Sequence, residues 1–455
     1  MKNTNQHDFG SGSIVQAILR LAVPMIFAQL INVLYNIVDR IYIGHIPDAS
    51  TQALTGVGLA LPIITIITAF ANLFGSGGAP LFSMARGAGE EEKAEKIMGN
   101  SFSMLLLSGI ILVAVCFLFK RPLLYLFGAS ELSYPYADSY ISIYLTGTIF
   151  VMISLGMNPF INAQGFSFTG MLTIAIGAVL NLILDPIFIF VLNMNVKGAA
   201  LATVLSQFVS AIWVLFFLTG KKALISLKRN DMHLQPTLIK NITALGLSGF
   251  MMSVTNGAVQ IACNATLARY GGDLYIGIMT VINSVREIIT LPVSGLSSGS
   301  QPVLSFNYGA QKYDRVKTAI KFMTFLCIAF LLVMWGLLLA FPNFFIQLFN
   351  SDPTLLEKGV PAMHLYFFGI FMMALQFAGQ STFVALGKSK QAVFFSIFRK
   401  IIIVVPLTLL LPTIGNLGTN GVFMAEPISN FVGGTACYLT MLFTVWRKLG
   451  KEEEL

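Results

Sequence analysis

Two aspartates interrupt long apolar stretches, Asp39 in NIVDRIYIGH (36–45) and Asp185 in NLILDPIFIF (181–190). An ionisable group inside a membrane helix costs roughly 2.5–3.5 kcal/mol on insertion scales, so each is a candidate functional residue. Helical spacing gives both of them companions. Tyr35 and Asn32 precede Asp39 by four and seven residues and share its helix face, and Asn181 precedes Asp185 by four. Tyr140 and Tyr144 are four apart, and Thr203 opens the stretch that follows Asp185. At 1.5 Å per residue, Asp39 lies about 7 Å and Asp185 about 12 Å from the outer ends of their helices. Acids, amides, a hydroxyl and phenols therefore converge on one level.

Two carboxylates in a low dielectric do not both stay ionised cheaply, so one takes a proton or the pair shares a cation. Oxygen donors of this kind suit a proton or a sodium ion. Asp39 and Asp185 are accordingly where coupling chemistry is expected, with the amides, the Thr203 hydroxyl and the phenols beside them and Na+ as the one metal such donors would take. Asn32, Tyr35, Tyr140, Tyr144 and Asn158 are the expected cavity residues. Pro24 removes a backbone hydrogen bond and gives the first helix a bending point. Arg286 and Glu287 read as an internal pair. Arg399 and Lys400 reach toward a phosphate or a cavity, and Glu426 precedes Pro427 with no partner evident in the sequence.

Composition dictates what must position these residues. Of 455 residues 56% are hydrophobic and only 11% charged, against about 25% charged in a soluble domain. Crossing a bilayer takes about 20 apolar residues, so twelve spans would use about 240. The apolar runs fall at 15–44, 53–78, 97–119, 134–162, 169–193, 198–219, 241–267, 274–300, 318–341, 360–386, 391–412 and 419–446. They are too long for strands and lack period-two alternation. The expectation is an all-α integral membrane protein of twelve transmembrane helices. A soluble, disordered or disulfide-framed chain is excluded, and no polar stretch is long enough for a catalytic domain. Cys116, Cys263, Cys327 and Cys437 lie in apolar runs and read as small buried hydrophobes. The four histidines, His7 among them, are too dispersed for zinc. No short apolar core with a small-residue cleavage site follows the polar start, so no cleaved signal peptide is expected.

Positive charge sets the orientation. With both termini cytoplasmic, 19 of the 28 Lys and Arg fall inside, from Lys2 through the 221–240 loop to Lys451. Five fall outside: Lys120, Arg121, Lys197, Arg269 and Lys358. The net charge of +8 thus reports topology, not nucleic-acid binding.

The chain also repeats itself. Pro80, Ser83, Gly87 and Ala88 recur 222 residues later as Pro302, Ser305, Gly309 and Ala310, and Ala163 and Gly165 recur as Ala385 and Gly387. A shift of six helices makes a parallel repeat: two six-helix bundles related by a pseudo-two-fold axis along the membrane normal. The expected division is 1–219 for the first bundle, 220–240 for a cytoplasmic linker, 241–446 for the second bundle and 447–455 for a cytoplasmic tail.

The order of these features resembles the multidrug and toxic compound extrusion (MATE) family, most closely its prokaryotic DinF-like branch. The stretches that carry the likeness are NIVDRIYIGH (36–45), NAQGFSFTGMLTIAIGAVLNLILDPIFIF (162–190), GAALATVLSQ (198–207) and PVLSFNYGA (302–310). It extends over nearly the whole chain. The resemblance implies a proton or cation site in the first bundle, and residue by residue this falls on Asp39, Asn181, Asp185 and Thr203, with Tyr35 and Tyr140 beside them. It also implies a helix-1 bend at Pro24. Arg40, directly after the first acid, departs from the pattern, and the lack of an acid in helices 7 and 10 speaks against a NorM-like second-bundle site.

The expected function is a proton- or sodium-coupled antiporter that exports amphipathic, often cationic, small molecules by alternating access. No enzyme activity or cofactor is expected, and the partners are small molecules and the lipid bilayer of the cell membrane, with a monomeric chain. The alternative is a flippase for lipid-linked saccharides, which would carry more basic residues facing its cavity. A major-facilitator transporter fits less well, because SMARGAGEEEKAEK (83–96) lacks the expected glycine–aspartate–basic pattern.

Overall fold

The computed structural model describes residues 8–46, 50–349 and 352–450. Lys2 and Lys451 of the inward charge set, His7 and the end of the tail at 451–455 lie outside these described residues. No strand occurs among them. The first helices are α1 (Ile14–Gly44), α2 (Ser50–Gly87), α3 (Glu91–Leu126), α4 (Tyr134–Thr146), α5 (Thr148–Ala163), α6 (Ser167–Pro186) and α7 (Asn195–Thr219). The run at 134–162, expected as one helix, is the pair α4 and α5, bent by 58° at Gly147. α6 ends at Pro186, which supplies no backbone N–H, and a π turn over Ile187–Val191 follows.

Next comes α8 (Pro236–Gly309), 74 residues long. At 1.5 Å per residue it would measure about 110 Å, against a hydrocarbon core of about 30 Å, so it contains two crossings. They part at Gly272, whose φ of 66° leaves the helical region, between the expected runs 241–267 and 274–300. The remaining helices are α9 (Tyr313–Ala340), the short α10 (Pro342–Gln347), α11 (Pro353–Tyr366), α12 (Met373–Ala385), α13 (Ser389–Ile397), α14 (Val405–Leu410), α15 (Thr419–Ser429) and α16 (Thr435–Met441). α11 and α12 form a second bent pair, at 41°. Counting each bent pair and each half of α8 as one crossing gives twelve among the described residues.

The repeat is visible in the backbone. The two bends occur at Gly147 and Gly369, which are 222 residues apart. Left-handed backbone recurs at the same shift, at Gly89 (φ 76°) and Gln311 (φ 57°) and at Gly165 (φ 91°) and Gly387 (φ 69°). The carbonyl of Ala163 accepts from Arg86 Nη1 at 2.7 Å, and that of Ala385 accepts from Ser305 Oγ at 2.7 Å. One carbonyl is thus satisfied by different donors in the two copies.

The chain divides into two compact units: residues 1–8 with 23–246, and residues 9–22 with 247–455. α1 is therefore shared, its first turns belonging to the second unit and the rest, from Val23, to the first. In the second unit Ile14, Ile18, Leu21 and Ala22 are buried in the core with Val293, Leu296 and Val303. Arg315 holds the preceding segment by donating to the carbonyls of Phe9, Ser11 and Gly12. The sequence at 220–235 is tied to the first unit. Leu224 and Ile225 N–H groups donate to Gln164 Oε1, Gln235 N–H donates to Asn100 Oδ1 at 2.7 Å, and Lys228 pairs with Glu95.

Close helix crossings in the first unit depend on glycine. A Cβ on Gly246 would lie 1.7 Å from the carbonyl oxygen of Leu73, and one on Gly77 would lie 2.2 Å from that of Ile242. Both atoms are backbone and cannot swing aside. Gly246→Ala should therefore destabilise the protein by at least about 1–3 kcal/mol, as overpacking of a tight contact does. Gly58→Ala, where a Cβ meets nothing within 4 Å, should be nearly neutral. Thermal unfolding of the two purified variants compares them directly, and equal melting points would contradict the crossing geometry.

Candidate functional site

Four helices of the first unit bring the singled-out residues together. α1 supplies Tyr35 and Asp39, α4 Tyr140 and Tyr144, α6 Asn181 and Asp185, and α7 Thr203. Asp185 is fully buried, Asn181, Thr203, Tyr140 and Tyr144 are buried, and Asp39 and Tyr35 are half-buried. The side chains of Asp39 and Asp185 lie within electrostatic range of each other, and those of Tyr35 and Tyr140 lie within the same range of Asp39 and Thr203. The rings of Tyr140 and Tyr144 stack at 6.2 Å. Arg40, the neighbour of Asp39, is exposed.

Asn181 connects Asp185 to Thr203. In the amide orientation that satisfies both its groups, it donates to Asp185 Oδ2 at 2.7 Å and accepts from the Thr203 backbone N–H at 3.2 Å. Thr203 Oγ1 donates to the carbonyl of Ala199 at 3.0 Å. Among the described residues, Oδ1 of Asp39 is buried without a hydrogen-bond partner. A buried acceptor without a donor is costly, and a proton shared between the two carboxyl groups would supply that donor.

A cavity of about 320 Å³ opens beside this cluster. Asn32, Tyr35, Asn158, Asn181 and Thr203 line it, whereas Tyr140 and Tyr144, expected in the cavity wall, do not. Both phenols are buried instead, and Tyr140 lies within electrostatic range of Asp39 and Thr203. Asp39 and Asp185 are likewise outside the lining, which contains no charged side chain. Its polarity comes from neutral groups missed in the sequence, chiefly Gln29, Asn72, Asn162 and Gln207. Uncharged amides inside apolar runs were the available signal. Ser154 Oγ donates to Gln207 Oε1 at 2.6 Å and Asn158 Nδ2 to the Gly170 carbonyl at 3.2 Å, while Oδ1 of Asn158 and of Asn162 are buried without partners among the described residues. The cavity wall is thus polar but uncharged. Pro24 follows the point, between Ala22 and Val23, where α1 passes from the second unit to the first.

In the second unit, Arg286 and Glu287 do not form the expected pair. Glu287 is exposed and Arg286 turns toward Glu426, at 3.7 Å. Adjacent residues of a helix point about 100° apart, and a buried carboxylate on α15 is the stronger attraction. Arg399 and Lys400 meet the same carboxylate at 2.9 and 3.2 Å, so Glu426 is triply paired.

Comparison with known proteins gives a consistent result. The family model MatE matches residues 24–187 and again 249–410, once in each half of the chain. The chain is 26% identical over 448 residues to the multidrug export protein MepA of Staphylococcus haemolyticus (strain JCSC1435), covering 98% of this chain and 96% of that protein. It is 24% identical over 404 residues to the MepA of Staphylococcus aureus (strain COL), covering 89% of each. A crystal structure of a MATE transporter in the bent conformation superimposes with a TM-score of 0.93 at 22% identity, covering the whole of both chains.

Proposed function

Because the chain belongs to the MatE family of membrane transporters, we propose that it exports amphipathic, cationic small molecules in exchange for protons, acting as a single chain in the cell membrane with both termini cytoplasmic. The observation that carries this reading is the join between an uncharged, amide-lined cavity and a buried carboxylate pair through Tyr35, Asn181 and Thr203. A cavity of about 320 Å³ is at the small end of sites for a drug-sized molecule, which favours a free small molecule over a lipid-linked saccharide. The multidrug export function of the MepA relatives supports the same substrate class.

The donor set favours a proton over Na+. Asn181 turns its amide nitrogen to Asp185 and its oxygen to the Thr203 N–H. It therefore presents no free oxygen to a cation held between the carboxylates. A proton needs only the two carboxyl groups. Protonation removes the charge that keeps Asp39 and Asp185 apart and lets α1 close on α6, with Pro24 absorbing the bend. Deprotonation reverses the step. The proton and the drug compete through the three residues common to cavity and pair, which is the coupling that exchange requires.

Ethidium uptake into everted membrane vesicles tests this. Accumulation should need an inward-acid gradient, collapse on adding a protonophore and survive a sodium ionophore in sodium-free buffer. Accumulation that follows the sodium gradient would overturn the proton reading, and no accumulation of any amphipathic cation would overturn the export reading.

A further inference from the structure

The second unit buries a cluster of opposite sign. Three cations, Arg286, Arg399 and Lys400, surround the one carboxylate of Glu426, and Arg399 also donates to Asn430 Oδ1 at 2.6 Å. Side-chain exposure is 7% for Arg399, 5% for Lys400 and 4% for Glu426, so this charge is not shared with solvent. Arg286 is 25% exposed. The group carries two positive charges beyond what Glu426 balances. Like charges a few ångströms apart repel strongly away from water, and an uncompensated charge at membrane depth is costly. A further anion beside these cations would offset part of the excess.

Space for the anion exists. A cavity of about 20 Å³ adjoins the cluster, lined by Arg286, Lys400 and Tyr366 with Asn256, Gln260 and Asn283, and with Glu426 on one wall. That is room for one particle of about the size of a water molecule. Its walls are rich in groups able to donate, two cationic heads, three amides and a phenol. Asn256 and Gln260 are exposed and mark the way in.

We propose that this cavity binds one small monovalent anion, chloride first, between Arg286 and Lys400. The anion offsets one of the two excess positive charges and links α8 to the 398–404 segment that carries Lys400. The site is separate from the carboxylate pair of the first unit and does not depend on which ion drives transport.

The test is thermal unfolding of the full-length purified protein in sodium chloride, bromide and gluconate at equal ionic strength. Both halides should raise the melting point over gluconate by roughly 2 °C or more, as a ligand held only by the folded state does. Lys400→Gln and Arg286→Gln each remove one excess charge and should lose this preference while remaining folded in gluconate. Anomalous scattering from a bromide-soaked crystal should place one ion in the cavity. Equal melting points of the native protein in all three salts, or a halide preference undiminished in both variants, would overturn the proposal.

Discussion

Asp39→Asn and Asp185→Asn should each reduce ethidium efflux from intact cells to the level of cells lacking the transporter, while the protein still reaches the membrane in normal amount. Asparagine keeps the shape and the hydrogen-bonding capacity but cannot load and release a proton. Removing an acid also lightens insertion by up to roughly 2.5–3.5 kcal/mol, so lost activity cannot be laid to lost protein. Neither acid lines the cavity, and ethidium binding to the purified variants should change little. A variant that binds but does not transport separates coupling from recognition. Efflux at the native rate by both variants would show that the pair is structural.

Glu426→Gln has the largest expected effect on stability. It leaves Arg286, Arg399 and Lys400 buried around a neutral amide. Breaking a buried ion pair from one side costs roughly 3–5 kcal/mol, and here the remaining cations also repel one another. Folded yield and melting point should both fall sharply. Lys400→Gln added to Glu426→Gln should recover part of the loss, because it removes one of the stranded charges. Destabilisation of the double variant by the sum of the single effects would mean that the three cations do not act on one carboxylate.

The sequence makes Asp39, Asn181, Asp185 and Thr203 legible because charge and amide spacing stand out against apolar runs, and the fold brings all four together. Periodicity gives the twelve crossings to within a few residues at most ends. It cannot show the bends at Gly147 and Gly369, since a glycine reads alike in a straight helix and at a break. Nor can sequence distance show that Glu426 collects Arg286, 140 residues earlier in the chain. The nearest acid, Glu287, is the natural partner in one dimension and the wrong one in three. The uncharged lining of the cavity was hidden for a different reason. An isolated Asn or Gln in a membrane helix costs less than a charge and draws less attention, although here such residues make up the polar wall.

Substrate-driven proton movement in proteoliposomes tests the central claim most directly. Vesicles are loaded with ethidium and a pH-sensitive dye in sodium-free buffer and diluted into ethidium-free medium. Exchange through the native protein should carry protons inward as ethidium leaves and acidify the lumen, and Asp39→Asn and Asp185→Asn should each abolish that signal. Ethidium exit without acidification, or acidification that persists in both variants, would contradict the assignment of proton coupling to the Asp39–Asp185 pair.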